Sequence, residues 1–261
     1  MLGAIAGDII GSVHEFAGGK TKDFALFHER CQFTDDSVLT VAVAEHLLRG
    51  GEYVDLFHDY FHRYPRAGFG GRFHRWATER RREPYQSYGN GSAMRVSAVG
   101  IVFDTLDDVR LRARESAVVT HDHPEGIRGA EASAAAVFLA RSGRSQSEIQ
   151  QHVESEYGYD LSRTLDSIRE GYRFDETCPG SVPEAITAFL EARDYEDAVR
   201  NAISLGGDAD TLACIAGGIA EAFYGGVPRP IAERATALLD DRLRGVVSEF
   251  YERYGDRITR S

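Results

Sequence analysis

Apolar side chains recur along this chain at the three- and four-residue steps of an α-helix. The spacing predicts helices over 3–13, 35–49, 52–63, 92–103, 105–119, 126–142, 146–156, 160–171, 182–192, 194–203, 209–224 and 231–253. The segment 35–49 stops at Gly50-Gly51, a helix C-cap signal. No Asn-Gly or Asp-Gly turn separates alternating strand patterns, and Asn90-Gly91 stands before a predicted helix instead. The fold expected is all-α, one compact domain over residues 1–261 in an orthogonal helical bundle. No internal repeat, low-complexity tract or interdomain linker interrupts it.

Several helices carry Gly and Ala where Leu would be expected, notably 129–137 and 213–220, and the first helix has Gly3, Gly7 and Gly11 at a four-residue step. Glycine inside a helix costs about 1 kcal/mol relative to Ala. Its use here is to let helix backbones approach closely and so bring together the residues at their ends. Two loops stand out. Residues 64–73 are too Gly-rich for a helix and hold Phe69 between glycines, while residues 84–92 place Tyr88 and Asn90 just before a helix expected to start near Ser92. A helix start flanked by glycine offers free N–H groups to a phosphate.

Composition narrows the function classes. A chain of 261 residues allows a large core, and 43% hydrophobic with 27% charged residues is ordinary for a soluble globular protein. A net charge of −11 argues against stable nucleic-acid binding or an anionic membrane as the main partner. A phosphate-bearing small molecule stays open, because local Arg residues and bound metals can reverse the sign inside a site. Cys31, Cys178 and Cys214 are odd in number and form no C-x-x-C, so neither a zinc site nor a disulfide framework is expected. Residues 1–13 are apolar but lack a basic leader and contain Asp8, which reads as a buried helix rather than a signal peptide. No run approaches the roughly 18 apolar residues of a membrane span, and a cytoplasmic location is expected.

The candidate chemistry lies in two acidic clusters far apart in sequence. Thr34-Asp35-Asp36 opens one apolar helix, and Asp208-Ala209-Asp210-Thr211, after Gly206-Gly207, opens another. Taken singly, each reads as an N-cap with acids in the first turn, favoured by the helix dipole. Taken together with Glu15, they supply five carboxylates and two hydroxyls, the hard oxygen donors that suit a pair of Mg²⁺ or Mn²⁺ ions. Unpaired carboxylates at the edge of a core are costly unless they bind cations. Glu15 alone reads more readily as a solvated acid, and Tyr88 equally as a core residue. His121 and His123 have the makings of a zinc pair but no third ligand nearby, which favours a turn before a helix beginning at Pro124.

Five motifs in order carry a resemblance: Gly3 to Glu15, Phe33 to Ser37, Tyr88 to Arg95, Thr120 to Pro124, and Ser204 to Thr211. The chain resembles the ADP-ribosylglycohydrolase family, which includes the dinitrogenase reductase-activating glycohydrolases. The resemblance implies an all-α fold with a dinuclear metal site holding two Mg²⁺ or Mn²⁺ ions. It implies hydrolysis of the bond between ADP-ribose and a modified acceptor, so that ADP-ribose and an ADP-ribosylated substrate are the expected partners. By motif, Thr34, Asp35, Asp36, Asp208, Asp210 and Thr211 are the implied metal ligands, with Glu15 and Asp36 catalytic. Ser87, Tyr88, Gly89, Asn90 and His121 are implied to contact ADP-ribose, with the Gly68-Phe69-Gly70 loop near the diphosphate or the substrate entry. The Ser-Tyr-Gly-Asn-Gly form is similar to the branch that cleaves serine-linked and O-acetyl-ADP-ribose. Two other readings use the same residues: a two-metal phosphohydrolase acting on a nucleotide diphosphate, and a non-catalytic ADP-ribose-binding protein.

Overall fold

A computed structural model describes residues 1–15 and 19–258. Among them the chain forms α1 (Leu2–Gly11), α2 (Asp35–Arg49), α3 (Tyr53–Arg63), α4 (Gly71–Thr78), α5 (Ser97–Val102), α6 (Leu106–Val118), α7 (Pro124–Arg141), α8 (Gln146–Tyr157), α9 (Leu165–Gly171), α10 (Cys178–Leu190), α11 (Tyr195–Ile203), α12 (Ala209–Tyr224), α13 (Arg229–Leu238) and α14 (Asp241–Tyr254). No strand occurs among the described residues, although an isolated antiparallel bridge joins Gly89 to Thr177. None of their helices is long and apolar enough to cross a membrane.

The helices α1 and α12 form the centre. Gly3–Gly11 of α1 and Ala209–Ala222 of α12 are buried without a break, so neither helix has a solvent face. They pack against each other through the glycine step. A Cβ on Gly7 would lie 2.0 Å from the Ala213 carbonyl oxygen, one on Gly3 2.4 Å from that of Gly217, and one on Gly11 2.5 Å from the Asp210 Cα. Any side chain at these positions would force the helices apart. The helices α2 and α13 pack on α1, and α5, α7, α10 and α11 pack on α12.

Local chemistry corrects several expected boundaries. The 231–253 segment is two helices, because Leu239 is extended and the Asp240 carboxylate accepts from Leu243 N (2.9 Å) to start α14. The expected 92–103 helix is a 3₁₀ turn at Asn90–Ser92 followed by the short α5. Residues 71–73, expected to be loop, begin α4, whose Phe73, Trp76 and Ala77 are buried at helical spacing. Thr177 caps α10 four residues before its expected start, accepting from Gly180 N (3.1 Å).

Candidate active site

The tight α1–α12 contact brings Asp8 of α1 against the first turn of α12, and α2 enters alongside. Asp8 binds the start of α2: one carboxylate oxygen accepts from Thr34 N (3.0 Å) and Ser37 N (3.1 Å), and the other accepts from Thr34 Oγ1 (2.7 Å). Ser37 Oγ also donates to Asp8. Across the gap, Thr211 Oγ1 donates to Asp36 Oδ2 (3.3 Å). Two sets of three carboxylates result, Asp8, Asp36 and Asp210 in one and Glu15, Asp208 and Asp210 in the other, each with one oxygen per residue within 4.8 Å of the others. Asp210 belongs to both. Segments some 200 residues apart in sequence therefore share one small volume. Gly206 and Gly207, at φ +74° and +71°, make the left-handed turn that delivers Asp208 into it.

The local electrostatics do not balance. Burial, then its acidic neighbours, drives the Asp36 and Asp210 carboxyls far above the usual range. Burial with Asp8 and Asp208 lifts Asp35 to about 8, and burial with Asp208 and Asp8 lifts Glu15 to about 7. Asp8 rises less, to about 6, because its hydrogen bonds oppose the burial. No Lys, Arg or His forms an ion pair with any of these groups among the described residues. Asp36 Oδ1 is buried with no hydrogen-bond partner. Nor does the helix-cap reading account for the second cluster, since Asp208 occupies the N-cap of α12 but makes no side-chain cap bond. It accepts instead from Asn90 Nδ2 (2.7 Å). A buried set of hard oxygen donors with an orphaned oxygen and no counter-charge fits divalent cations.

These acids lie at one end of a cleft of about 470 Å³, whose other lining residues include Arg72, Arg75, Tyr85, Ser87, Arg95 and His121. Arg95 is fully buried. Its Nη2 donates to the Ser116 carbonyl (2.7 Å) and to Thr120 Oγ1 (3.1 Å), and its guanidinium lies over the Phe57 ring at 4.5 Å. Among the described residues its Nη1 has no partner, and no carboxylate pairs with it. Burial lowers its pKa to about 10, which still leaves it charged at neutral pH. Burial, then Arg95 and Arg72, pushes His121 well below the usual imidazole value, so its ring is neutral. Arg72 donates to the Tyr85 carbonyl and stands 5.1 Å from the centre of that ring.

The residues expected from sequence divide into those the cleft gathers and those it does not. Glu15, Thr34, Asp35, Asp36, Asp208, Asp210 and Thr211 all line it, as do Gly68, Gly70, Ser87, Gly89, Asn90 and His121. Phe69 does not: its ring is buried, stacked on Phe73 at 5.0 Å and edge-on to Phe61 at 5.2 Å. Tyr88 stands outside the lining, 45% exposed beside His123. The phosphate cradle expected at Ser92 is a single 3₁₀ turn, with Asn90 N committed to the Glu176 carbonyl (2.8 Å) and Ser92 wholly buried. His123 caps α7 through Nδ1, accepting from Glu125 N (3.1 Å), which removes the zinc-pair reading. Sequence reasoning missed Asp8, Arg72 and Arg95. The signal for Asp8 was present, since it is the one charge in an otherwise apolar, glycine-stepped helix.

The helical architecture has a counterpart in a solved structure titled "ADP-ribosylglycohydrolase-related protein complex", with a TM-score of 0.65 and 26% identity over 96% of each chain. The fold is thus of the ADP-ribosylglycohydrolase type. The family model described as ADP-ribosylglycohydrolase matches residues 1–259, and the chain belongs to that family. It is 29% identical to the ADP-ribosylhydrolase ARH3 of Mus musculus, across 86% of this chain and 82% of that one, and 28% identical to that of Homo sapiens, across 86% and 84%.

Proposed function

We propose that this chain hydrolyses the glycosidic bond between C1″ of the distal ribose of ADP-ribose and an acceptor group. The observation that carries this reading is a cleft with two uncompensated ends, buried carboxylates without a cation and a buried guanidinium without an anion. ADP-ribose with divalent ions complements both. The diphosphate would lie toward Arg95, Arg72 and His121, and the distal ribose toward the acids. Asp8, Glu15, Asp36, Asp208 and Asp210, with Thr34, Asp35 and Thr211, would hold two Mg²⁺ or Mn²⁺ ions. Bound ions of this kind supply positive charge that orients hydroxyl-bearing substrates and makes water more acidic.

Cleavage at an anomeric carbon passes through an oxocarbenium-like state. Glu15 stands at the open side of the acid cluster, partly exposed and poised near neutrality. Its carboxylate accepts the proton of the water that adds to C1″ while the bond from C1″ to the acceptor breaks; the acceptor leaves with the bonding electron pair and takes up a proton from solvent. A general base so placed contributes on the order of 10²–10⁴-fold. Asn90 holds Asp208 in position through its amide and so acts through another residue, while Asp8 also fixes the start of α2.

Product analysis tests the reading. Incubated with a mono-ADP-ribosylated peptide and Mg²⁺ or Mn²⁺, the protein should release free ADP-ribose and intact acceptor, and EDTA should stop it. AMP or inorganic phosphate as product would assign phosphohydrolase chemistry instead. Tight ADP-ribose binding without any product would make the chain a binding protein.

A further inference from the structure

A second cavity, of about 430 Å³, adjoins the cleft behind the segment 172–176, and Phe174 lines both. This segment forms the wall beside the acids. A Cβ on Gly207 would meet Tyr172 Cε1 at 2.9 Å, the Arg173 carbonyl oxygen at 3.1 Å and Phe174 Cα at 3.2 Å, so the segment lies directly on the turn that delivers Asp208. Its far end is tied to the cleft floor through Asn90 N and the Gly89–Thr177 bridge. Asp175 Oδ1 stiffens it, accepting from Thr177 N (2.8 Å) and Thr177 Oγ1 (2.7 Å).

The cavity has an unmet valence. Glu184, which lines it, is only 5% exposed. Its Oε1 accepts from Arg163 Nη2 (2.6 Å), while Oε2 is buried with no partner. A buried carboxylate oxygen in this state calls for a hydrogen-bond donor. Arg173, on the exposed side of the cavity, can meet a carbonyl.

We propose that this cavity is the subsite for the leaving acceptor, and that it selects acceptors carrying an N–H donor, such as a peptide amide, ammonium or guanidinium, for Glu184 Oε2. The inference rests on the glycohydrolase reading, which puts C1″ at the acid end and so directs the group bonded to it toward this wall. A phosphodiester acceptor offers only acceptor oxygens and so leaves Glu184 Oε2 without a donor.

The test compares an ADP-ribosylated peptide having a Lys beside the modified residue with O-acetyl-ADP-ribose, whose leaving group is too small to reach the cavity. Two variants are used. Glu184→Gln removes the charge with little change of shape. Gly171→Phe adds bulk at a lining position where a Cβ would meet nothing within 4 Å, and circular dichroism checks that the helical fold is kept. In both, the ratio of kcat/KM for the peptide to that for O-acetyl-ADP-ribose should fall about tenfold, mostly through KM, as for one lost charge-assisted hydrogen bond. An unchanged ratio in both variants overturns the subsite, as does wild-type preference for an ADP-ribosylated DNA end over the peptide. Release of ADP-ribose from none of these substrates by the wild type would instead remove the glycohydrolase reading beneath it.

Discussion

The acid end of the cleft and its guanidinium end are opposites in charge and alike in cost. At one, no basic side chain among the described residues pairs with the buried Asp36 or Asp210; at the other, no carboxylate among them pairs with the buried Arg95. Leaving an ion buried and unpaired costs several kcal/mol, even after relaxation. Both features within one cleft are what the proposed pairing of divalent ions with a diphosphate would offset. The ends differ in how they are made. The acids ride on two helix starts, those of α2 and α12, and on the C-terminal end of α1, locked by the close approach of α1 and α12. Arg95 follows a single 3₁₀ turn and is held by the Ser116 carbonyl and Thr120, from the end of α6 and the loop after it. The acid end should therefore govern turnover and the guanidinium end affinity.

Substitutions can break that division of labour. Asp36→Asn or Asp210→Asn should show the largest effect, a loss of more than about 10³-fold in kcat with the helical fold retained by circular dichroism. Full activity in either variant would remove the acids from the chemistry. Glu15→Gln comes next, lowering kcat by about 10²–10⁴-fold while calorimetric ADP-ribose affinity changes little. Lost affinity with retained kcat would make Glu15 a binding residue only. Arg95→Met should weaken ADP-ribose binding by about 10–100-fold, the worth of a charge-assisted hydrogen bond, and leave kcat within a few-fold. A fall in kcat with affinity intact would place Arg95 with the chemistry instead.

The smallest effect sharpens the comparison through pH. In the absence of divalent ions, Glu15 and Asp35 titrate at about 7 and about 8, against ordinary values of 4.5 and 3.8. Between those limits the folded chain binds more protons than the unfolded one, so the stability of the metal-free protein falls as pH rises from about 4 to about 8. Mg²⁺ or Mn²⁺ should then raise Tm by several degrees more at about pH 8 than at about pH 5. Equal shifts at both pH values would show that the ions bind elsewhere.

How legible each end was follows from its construction. The acids after Thr34 and Gly207 stood out only in combination with each other and Glu15, since each cluster alone reads as a helix cap, and the glycine step of α1 announced a close helix contact. Asp8 was harder to read, since one acid in a helix shows no partner until the fold supplies Thr34 and Ser37. Arg95 was illegible, because a lone arginine among 28 gives no sign that it will be buried over Phe57. The places of Phe69 and Tyr88 outside the cleft lining were illegible for a related reason. An aromatic flanked by glycines suggests a ligand contact, but the rings of α3 and α4 draw Phe69 into the core, and the pairing of the Tyr88 backbone with Cys178 leaves the Tyr88 ring outside the cleft.

Anomalous diffraction from crystals soaked in Mn²⁺ tests the central claim most directly. The account predicts two peaks flanking Asp210, one within coordination distance of Asp36 Oδ1 and the other beside Glu15 and Asp208. No peak between α1, α2 and α12, or manganese bound only on the outer surface, would contradict it.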